Sequence, residues 1–539
     1  MDKIKIPIDV KALYTEAEQS PIVMALLSVI DTLNKQLESQ SEKMDLLLAE
    51  IRRLKKRSDK PKIRASKLPK KPDDPDDSDA NGTSSTGKRP GSAKKSKNKK
   101  LNIDREEIIK AEDVPPGAVR RGYHNYVVQD LMIKPMVVKY RLERWELPNG
   151  DYLIAQLPKD IKGHHFGSIL RSYVLHQHYH QCVTQPLLLA QLREWKIDIS
   201  AGQLNRLITE NKEDFHAEKS SLLAAGLLTS KYIQVDDTGA RHDGKNGYCT
   251  FIGNELFSWF ESTDSKSRIN FLELLRHGYT DYQLTEESFE YMHRHRVAPW
   301  VIKKIAEEKE IFWNNKNDFQ LYLEKQSITN PRYKRLVKEA ALIGSIIKHG
   351  FLLDAVIISD DAGQFNVLQH ALCWFHAERG VNALIPSNDM QVNALESARK
   401  EIWNLYQLLL AYKQNPTKAQ AIRIENRFDK LCKTKTIYHA LNLALKRLYK
   451  NKEELLFVLK RPDIPLHNNL SERDIREYVK RRKISGSTRS DEGGRCRDTF
   501  VSLKKTALKM KISFWDYLID RISKNGNIPS LNELILTGA

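Results

Sequence analysis

The stretch KYIQVDDTGAR, at residues 231–241, contains a short apolar run that ends in Asp236 and Asp237. An apolar run closed by turn-forming residues is typical of a buried strand, so we expect a strand that ends just before these acids. A close copy follows at residues 355–364, where AVIIS precedes a second acidic pair that begins with Asp360. Carboxylates at the tips of two neighbouring strands would form one site, and the repeated pattern predicts such a site.

The elements around these two strands predict an α/β core. Two further strands, a helix and a last strand are expected at residues 248–252, 255–260, 265–276 and 368–375. Gly253-Asn254 is typical of a tight hairpin between the first two. Three antiparallel strands, a helix and a strand ending in Asp-Asp are the beginning of a ribonuclease-H-like fold. We therefore expect an α/β ribonuclease-H-like catalytic domain over residues 229–539, with helical insertions at about 285–349 and 390–464.

Asp236 and Asp360 would offer two hard oxygen ligands close together if their strands are neighbours. Such a site suits Mg²⁺, which takes one or two carboxylates and keeps waters and substrate phosphates. Two ions about 4 Å apart can activate an attacking oxygen and stabilise a leaving one. Glu472 is the best-placed third carboxylate, because Asn468 or Asn469 can cap a helix whose first turn contains it.

Each of these features also has an ordinary structural explanation. An aspartate after a strand is often only a turn residue. Glu472 and Arg476, four residues apart on one helix, can form a simple surface ion pair. Cys373 and His376 can belong to the core, and the basic run at residues 480–483 can be a solvated face. The combination of features, rather than any single one, favours a metal-dependent site that acts on phosphodiesters.

The first part of the chain predicts three segments outside the catalytic domain. Residues 1–57 carry apolar residues at heptad spacing, which is typical of a coiled coil that joins copies of a chain. An amphipathic helix packed on its own chain is the alternative. Residues 58–105 are rich in Lys, Ser, Pro, Asp and Gly and predict a basic disordered linker. Residues 106–160 predict a small β-rich module, with strands near 126–128, 136–145 and 152–155.

Residues 161–228 predict a helical domain of the helix-turn-helix type. A helix over 187–195 is followed by a turn and by Ser200, which is a good N-cap for a second helix over 201–209. An ordinary helical hairpin would show the same pattern, so DNA binding by this segment is one of two interpretations. The nearby HQHYHQC segment, at residues 176–182, lacks the spacing of a metal site, because only its first and third histidines share a helix face.

Composition favours a polyanionic partner. The chain has 539 residues, with 88 Lys and Arg against 69 Asp and Glu, which gives a net charge of +19. Residues 52–100 contribute 18 basic and 6 acidic residues, so +12 of the net charge of +19 lies in this stretch. Five scattered cysteines without a CxxC pair are typical of a reducing compartment. We expect no membrane helix and no secretion signal, since no apolar run has the required length.

Four motifs together resemble the DDE-type transposases of bacterial insertion sequences, specifically the insertion-sequence-sixty-six family. They are IQVDDTGAR at 233–241, IISDDAGQFN at 357–366, LCWFHAER at 372–379 and HNNLSERDIR at 467–476. The resemblance covers roughly residues 160–275 and 350–522. The family often has a cysteine-containing module before its helix-turn-helix, but residues 120–160 contain no cysteine, so we expect no zinc there. Glu378 stands where a second arginine is usual.

The resemblance implies that Asp236, Asp360 and Glu472 are the catalytic residues and the ligands of two magnesium ions, which manganese can replace. It implies metal-dependent cleavage at element ends and strand transfer into target DNA. The alternatives are a catalytically inactive DNA-binding relative and a metal-dependent DNA nuclease. The residues expected to contact DNA are Arg473, Arg476, Lys480, Arg481, Arg482, Lys483, Arg489, His376 and Arg379.

The same resemblance implies the partners and the compartment. They are element-end and target DNA, further copies of the chain through the coiled coil, and accessory proteins of the same element. We expect the protein in the bacterial cytoplasm, at the nucleoid, with no membrane partner.

Overall fold

The computed structural model describes residues 29, 30, 32, 33, 36, 44, 103–110, 115–121, 123–307, 311–352 and 354–538. The chain divides into two compact units, Met1–Val128 and Gln129–Ala539. In the first unit, the described residues up to 44 are helical and exposed, and those from 103 to 128 contain neither helix nor strand. Most of the predicted coiled coil and linker lies outside the described residues, so both stay predictions.

The segment predicted as a β module contains one short hairpin. Its strands are β1 (Arg144–Glu146) and β2 (Tyr152–Ile154), which pair antiparallel around the predicted Pro-Asn-Gly-Asp turn. The turn is closed by the Leu147 amide, which donates to the Asp151 carbonyl at 2.7 Å. The strands predicted at 126–128 and 136–143 are wrong. Those residues are mostly exposed, and without a layer to pack against their alternating pattern does not produce a sheet.

In the described part of the second unit, four helices precede the main sheet. They are α1 (Ser168–Leu175), which continues into a π-helical turn (His176–His180), α2 (Gln185–Glu194), α3 (Ala201–Thr209) and α4 (Glu213–Thr229). Ser200 caps α3: its hydroxyl accepts from the Gln203 amide at 3.1 Å, and the Gln203 side chain accepts from the Ser200 amide at 2.8 Å. This confirms the predicted bounds of α3, while the helix-turn-helix assignment stays a prediction.

The middle of the chain alternates between strands and helices. Its elements are β3 (Tyr232–His242), β4 (Lys245–Gly253), β5 (Ser258–Thr263), α5 (Arg268–Leu275), β6 (Tyr282–Gln283), α6 (Glu286–Arg294), α7 (Pro299–Ala306), β7 (Phe312–Trp313), α8 (Lys316–Lys325) and α9 (Pro331–Lys348). α9 is buried in the same core as β3, and a Cβ on Gly344 would lie 2.2 Å from the Gln283 carbonyl oxygen. The segment predicted as an insertion is helical, but α9 is an integral part of the main core.

Two further strands, β8 (Val356–Ser359) and β9 (His370–Leu372), complete a five-stranded mixed sheet. The strand order is β5-β4-β3-β8-β9. β4 pairs antiparallel with both β3 and β5, whereas β8 runs parallel to both β3 and β9. Three antiparallel strands, a helix and a parallel strand are the order that the sequence predicted for an α/β core.

β3 is longer than the sequence predicts. It passes through Asp236 and Asp237 and pairs with β4 as far as His242, where Asp243 and Gly244 turn the chain with φ values of 43° and 73°. The prediction that the strand ends before the acids is therefore wrong, and β5 begins at Ser258 instead of at residue 255. The parallel pairing with β8 does stop at Gln234, so the acids lie just beyond it.

The last part of the chain is helical. Its elements are α10 (Trp374–Asn382), α11 (Asp389–Gln414), α12 (Lys418–Lys433), α13 (His439–Lys450), α14 (Lys452–Leu455), a 3₁₀ turn (Phe457–Leu459), α15 (Asn469–Ser485), α16 (Asp491–Lys509), α17 (Phe514–Ser523) and α18 (Leu531–Thr537). Helices α10 to α13 form a second core with β8 and β9, α15 packs on the antiparallel strands, and α16 to α18 join the main core. Within the described part, no helix is long and apolar enough to cross a membrane.

Candidate active site

Three carboxylates from distant parts of the sequence meet beside the sheet. Burial raises the pKa of Asp236 to about 7, and the amide of Asp237 opposes this shift. The negative charges of Asp360, Asp237 and Glu472 raise the pKa of Asp236 further. Like charges raise a carboxyl pKa in this way when they lie nearby, so Asp360 and Glu472 are both neighbours of Asp236.

The second acid of each Asp-Asp pair is held by other side chains. Asp237 accepts hydrogen bonds from the Thr250 hydroxyl at 2.6 Å and from the Gln364 amide at 2.9 Å. Asp361 forms an ion pair with Arg447 of α13 at 2.5 Å. These bonds direct both carboxylates toward protein partners.

The first acid of each pair has different surroundings. In the described part of the chain, the hydrogen bonds to the carboxylates of Asp236 and Asp360 come from backbone amides, those of Asp237 at 2.8 Å and Ala362 at 3.1 Å. Each carboxylate therefore keeps oxygen lone pairs for a cation. This difference favours Asp236 and Asp360 over their neighbours as ligands.

Contacts between β3 and α15 place Glu472 opposite Asp236. The Asn468 side-chain amide donates to the Val235 carbonyl at 2.9 Å, and Gln234 accepts from the Ser471 amide at 3.2 Å. Gln234 and Asp236 are two residues apart on one strand, so both face α15. Asn468 precedes the helix as predicted, but its side chain binds β3 and does not cap the helix.

Glu472 has two arginines and a histidine around its carboxylate. Arg379 and His376 lie 3.4 and 3.6 Å from its Oε1, and Arg476 lies 3.5 Å from its Oε2. The carboxylate is 17% exposed, and its Oε1 is buried without a hydrogen-bond partner in the described structure. The ion pair between Glu472 and Arg476 that the sequence allowed is present. The buried Oε1 leaves a position that a bound cation would fill.

Six of the nine residues predicted to contact DNA are exposed. They are Arg379, Arg473, Arg476, Lys480, Lys483 and Arg489. His376 is half-buried beside Glu472, and Arg482 is half-buried with its guanidinium bonded to the Gly239 carbonyl of β3. The exposed six stay predicted DNA contacts.

Arg481 does not fit that prediction. It is 6% exposed, and its guanidinium donates to the carbonyl and ring of His178 in the π-helical turn. A basic run on a helix places one residue in each turn toward the core, and here that residue is Arg481. Glu378, which departs from the usual arginine, is likewise buried and pairs with Arg399 at 2.7 Å.

Two groups of residues were missed by the sequence reasoning. The first is the contact between Gln234, Asn468 and Ser471, for which the HNNLSE motif was the available signal. The second is a cluster of His216, Glu492 and Cys496, whose ligand atoms all lie within 4.8 Å of one another. Its signal was the spacing of four residues between Glu492 and Cys496, which places them on one helix face.

Two comparisons with known proteins identify the family of this chain. Residues 314–496 match the transposase IS66 family, a range that contains Asp360 and Glu472 and begins after Asp236. The chain is also 44% identical over 307 residues to the uncharacterized protein y4jO of Sinorhizobium fredii. That match covers 57% of this chain and 96% of the relative. On the family match, together with this identity and coverage, the chain belongs to the transposase IS66 family, and is in general terms a DNA-binding, DNA-processing enzyme.

Proposed function

We propose that this protein is a DDE transposase that cleaves DNA at the ends of its element and transfers the strands into target DNA. The observation that carries the proposal is the meeting of Asp236, Asp360 and Glu472. They come from β3, the end of β8 and the first turn of α15. We further propose that the five-stranded sheet is a ribonuclease-H-like core, which the strand order supports.

The donor set fits two divalent cations of the magnesium type. Three carboxylates supply only hard oxygen ligands, and the buried Oε1 of Glu472 accepts no hydrogen bond in the described structure. The ligand atoms of these three carboxylates do not all lie within 4.8 Å of one another. Asp236 interacts with both of the other carboxylates, so the three residues together would hold the ions.

When bound, two such ions activate an attacking oxygen and stabilise the leaving oxygen of an in-line displacement. The chain's own residues hold and orient the reactants. Asp236, Asp360 and Glu472 would be the ligands, while Arg379 and Arg476, both largely exposed beside Glu472, would bind the scissile phosphate or its neighbour. In the first reaction, water attacks the phosphodiester at the element end. The bond between phosphorus and the 3′ oxygen breaks, which frees a 3′-OH. In the second reaction, that 3′-OH attacks a phosphodiester of the target DNA and displaces one of its sugar oxygens. Neither reaction needs a covalent bond to the protein.

The DNA path would follow the exposed side of α15. Arg473, Lys480 and Lys483 are exposed on this helix, and Arg489 is exposed in the loop that follows. We also propose that the segment over residues 161–228 binds element ends and that the coiled coil over residues 1–57 joins copies of the chain. Action at the nucleoid, and help from accessory proteins of the element, complete the proposal.

A strand-transfer assay tests this function. Labelled duplexes that carry the DNA flanking the gene are incubated with the full chain, plasmid target and Mg²⁺ or Mn²⁺. We expect joined product from the wild type, and a loss of at least about 1,000-fold in Asp236→Asn, Asp360→Asn and Glu472→Gln, because each removes a metal ligand. Binding of the labelled ends should persist in all three variants.

Asp237→Asn and Asp361→Asn are the matched controls, since each changes the same residue type one position away. They should keep most of the activity, because their partners are Thr250, Gln364 and Arg447. Full activity in any of the three ligand variants would refute the assignment. Cleaved ends without joined product would identify a nuclease, and bound but uncut ends would identify an inactive DNA-binding relative.

A further inference from the structure

We propose that His216, Glu492 and Cys496 form a second metal site, which binds Zn²⁺ and joins α4 to α16. This inference is independent of the proposed function, because it concerns a different set of ligands. His216 lies in the first turn of α4, and Glu492 and Cys496 face it from α16. Within the described part of the chain, these are the residues whose ligand atoms lie within 4.8 Å of one another.

The distances between the three ligand atoms are those of one face of a tetrahedron. His216 Nε2 lies 3.0 Å from Glu492 Oε1, and Cys496 Sγ lies 3.5 Å from the same oxygen. Cys496 Sγ and His216 Nε2 are 3.9 Å apart. Zinc bonds of about 2.0–2.3 Å in tetrahedral geometry separate neighbouring ligand atoms by roughly 3.3–3.6 Å. Shifts of a few tenths of an ångström would therefore complete the site.

The contact to Thr499 prepares the histidine for this role. His216 Nδ1 lies 2.8 Å from the Thr499 hydroxyl, also on α16. With the proton on Nδ1, that nitrogen donates to Thr499 and Nε2 offers its lone pair toward Glu492 and Cys496. Ligand histidines in metal sites are typically fixed in this way by a hydrogen bond at the other ring nitrogen.

The ligand types select zinc over magnesium. A thiolate and an imidazole are borderline or soft ligands, which Mg²⁺ avoids and Zn²⁺ prefers. Zinc binding would replace the thiol proton of Cys496 with the metal and release that proton to solvent. The Glu492 side chain is 42% exposed, so it leaves a path for the ion and a fourth position for water.

The same cluster has an ordinary explanation without metal. His216 and Glu492 can be a plain ion pair, and Cys496 can be a neutral thiol that donates to the Thr209 carbonyl at 3.4 Å. Burial raises the pKa of Cys496 to about 12, which keeps the thiol protonated until a metal binds. The two explanations differ in one measurable property, the retention of zinc.

The position of the site gives it a structural consequence. Thr209 is the last residue of α3, so Cys496 contacts the end of α3 while its helix packs against α4. A zinc ion here would fasten the helical segment before the sheet to the helix that follows the basic segment at 480–489. Loss of zinc should therefore loosen the helices that precede β3.

Zinc content of the full chain tests the proposal. The wild-type protein is purified, freed of loosely bound metal by gel filtration, and measured by mass spectrometry for zinc per chain. We expect one zinc per chain, and replacement by Co²⁺ should give the visible absorption of a tetrahedral site together with a thiolate-to-cobalt charge-transfer band. His216→Ala and Cys496→Ala should weaken zinc binding by more than about 100-fold, and Cys496→Ala should abolish the charge-transfer band.

Two control variants remove a cysteine and a histidine that lie outside the proposed zinc site. Cys432→Ala removes another buried cysteine, and His349→Ala removes a histidine 2.8 Å from Asp281 in a pair without a thiol. Both variants should keep the zinc, as should Asp236→Asn. A wild-type protein without stoichiometric zinc would overturn the proposal, and so would equal retention by His216→Ala and Cys496→Ala. If the ligand variants do not fold, the zinc content and cobalt spectrum of the wild type decide.

Discussion

Asp236 and Asp237 are chemically identical neighbours that the strand places in different surroundings. Successive side chains of a strand point to opposite faces, so Asp236 faces Glu472 while Asp237 faces Thr250 and Gln364. The continuation of β3 through both residues fixes this difference. A flexible turn, which the sequence suggested, would let the two carboxylates exchange positions.

His178 gives a prediction for acid stability. Burial and the charge of Arg481 lower the pKa of His178 to about 3, although the Val183 carbonyl opposes the shift. The unfolded chain takes up this proton below pH 6.5. The contribution of His178 to stability is therefore complete above pH 6.5 and is lost progressively as the pH falls from 6.5 toward 3.

Urea unfolding at pH 7.5 and pH 5 measures this contribution. We expect the wild type to lose about 2 kcal/mol more than His178→Gln over this range, since each pH unit below 6.5 contributes about 1.4 kcal/mol. Gln can accept from Arg481 and donate to Val183 but does not titrate. His293→Gln, at an exposed histidine of α6, should show the pH response of the wild type. Equal pH responses in His178→Gln and the wild type would contradict the prediction.

At the scale of elements, the candidate site depends on how α15 is fixed to β3. Gln234 is 1% exposed, and its side chain bridges the His467 carbonyl and the Ser471 amide. Gln234→Leu keeps the volume but leaves both backbone groups buried without partners. We expect a loss of about 1–3 kcal/mol in unfolding free energy, and at least a tenfold loss of strand transfer because Glu472 is no longer held in place.

The control for this variant is Gln391→Leu. Gln391 of α11 also accepts from a backbone amide, that of Ser387 at 2.9 Å, but outside the carboxylate site. It should lose stability without a specific loss of strand transfer. If Gln234→Leu loses stability to the same extent as Gln391→Leu and keeps full strand transfer, Gln234 has no positioning role.

Local signals predicted the helices better than the strands. Ser200 and the Gln203 that completes its capping box are three residues apart, so the start of α3 could be read from the sequence. The path of β3 could not be read from the sequence, because Asp, Asp, Thr and Gly favour a turn. Only pairing with β4 overrides this preference. The contacts of Gln234 with α15 and of Arg481 with His178 join residues hundreds of positions apart. The HNNLSE motif marks α15 but not its partner strand, and no local pattern marks the partner of Arg481.

At the scale of the whole molecule, the positions of the carboxylates depend on three hydrophobic cores. The main core supports one face of β3, the second core supports β8 from the other side, and the third core seats α15 on the antiparallel strands. Asp236 precedes the residues that match the family, and in the proposed site it would act together with Asp360 and Glu472 from within them. A cation bound by carboxylates that these three cores hold in place should therefore stabilise the whole fold.

Thermal unfolding with and without divalent cations tests this coupling. Starting from protein freed of metal by a chelator, we expect Mg²⁺ or Mn²⁺ at 100 times its dissociation constant to stabilise the wild type by about 2.7 kcal/mol. Asp236→Asn and Glu472→Gln should lose this stabilisation, because each lacks a ligand. Asp361→Asn should keep it, since Asp361 pairs with Arg447, and so should Cys496→Ala, whose thiol lies in the other proposed site. An equal shift in wild type and Asp236→Asn would place the cation elsewhere and contradict the carboxylate site.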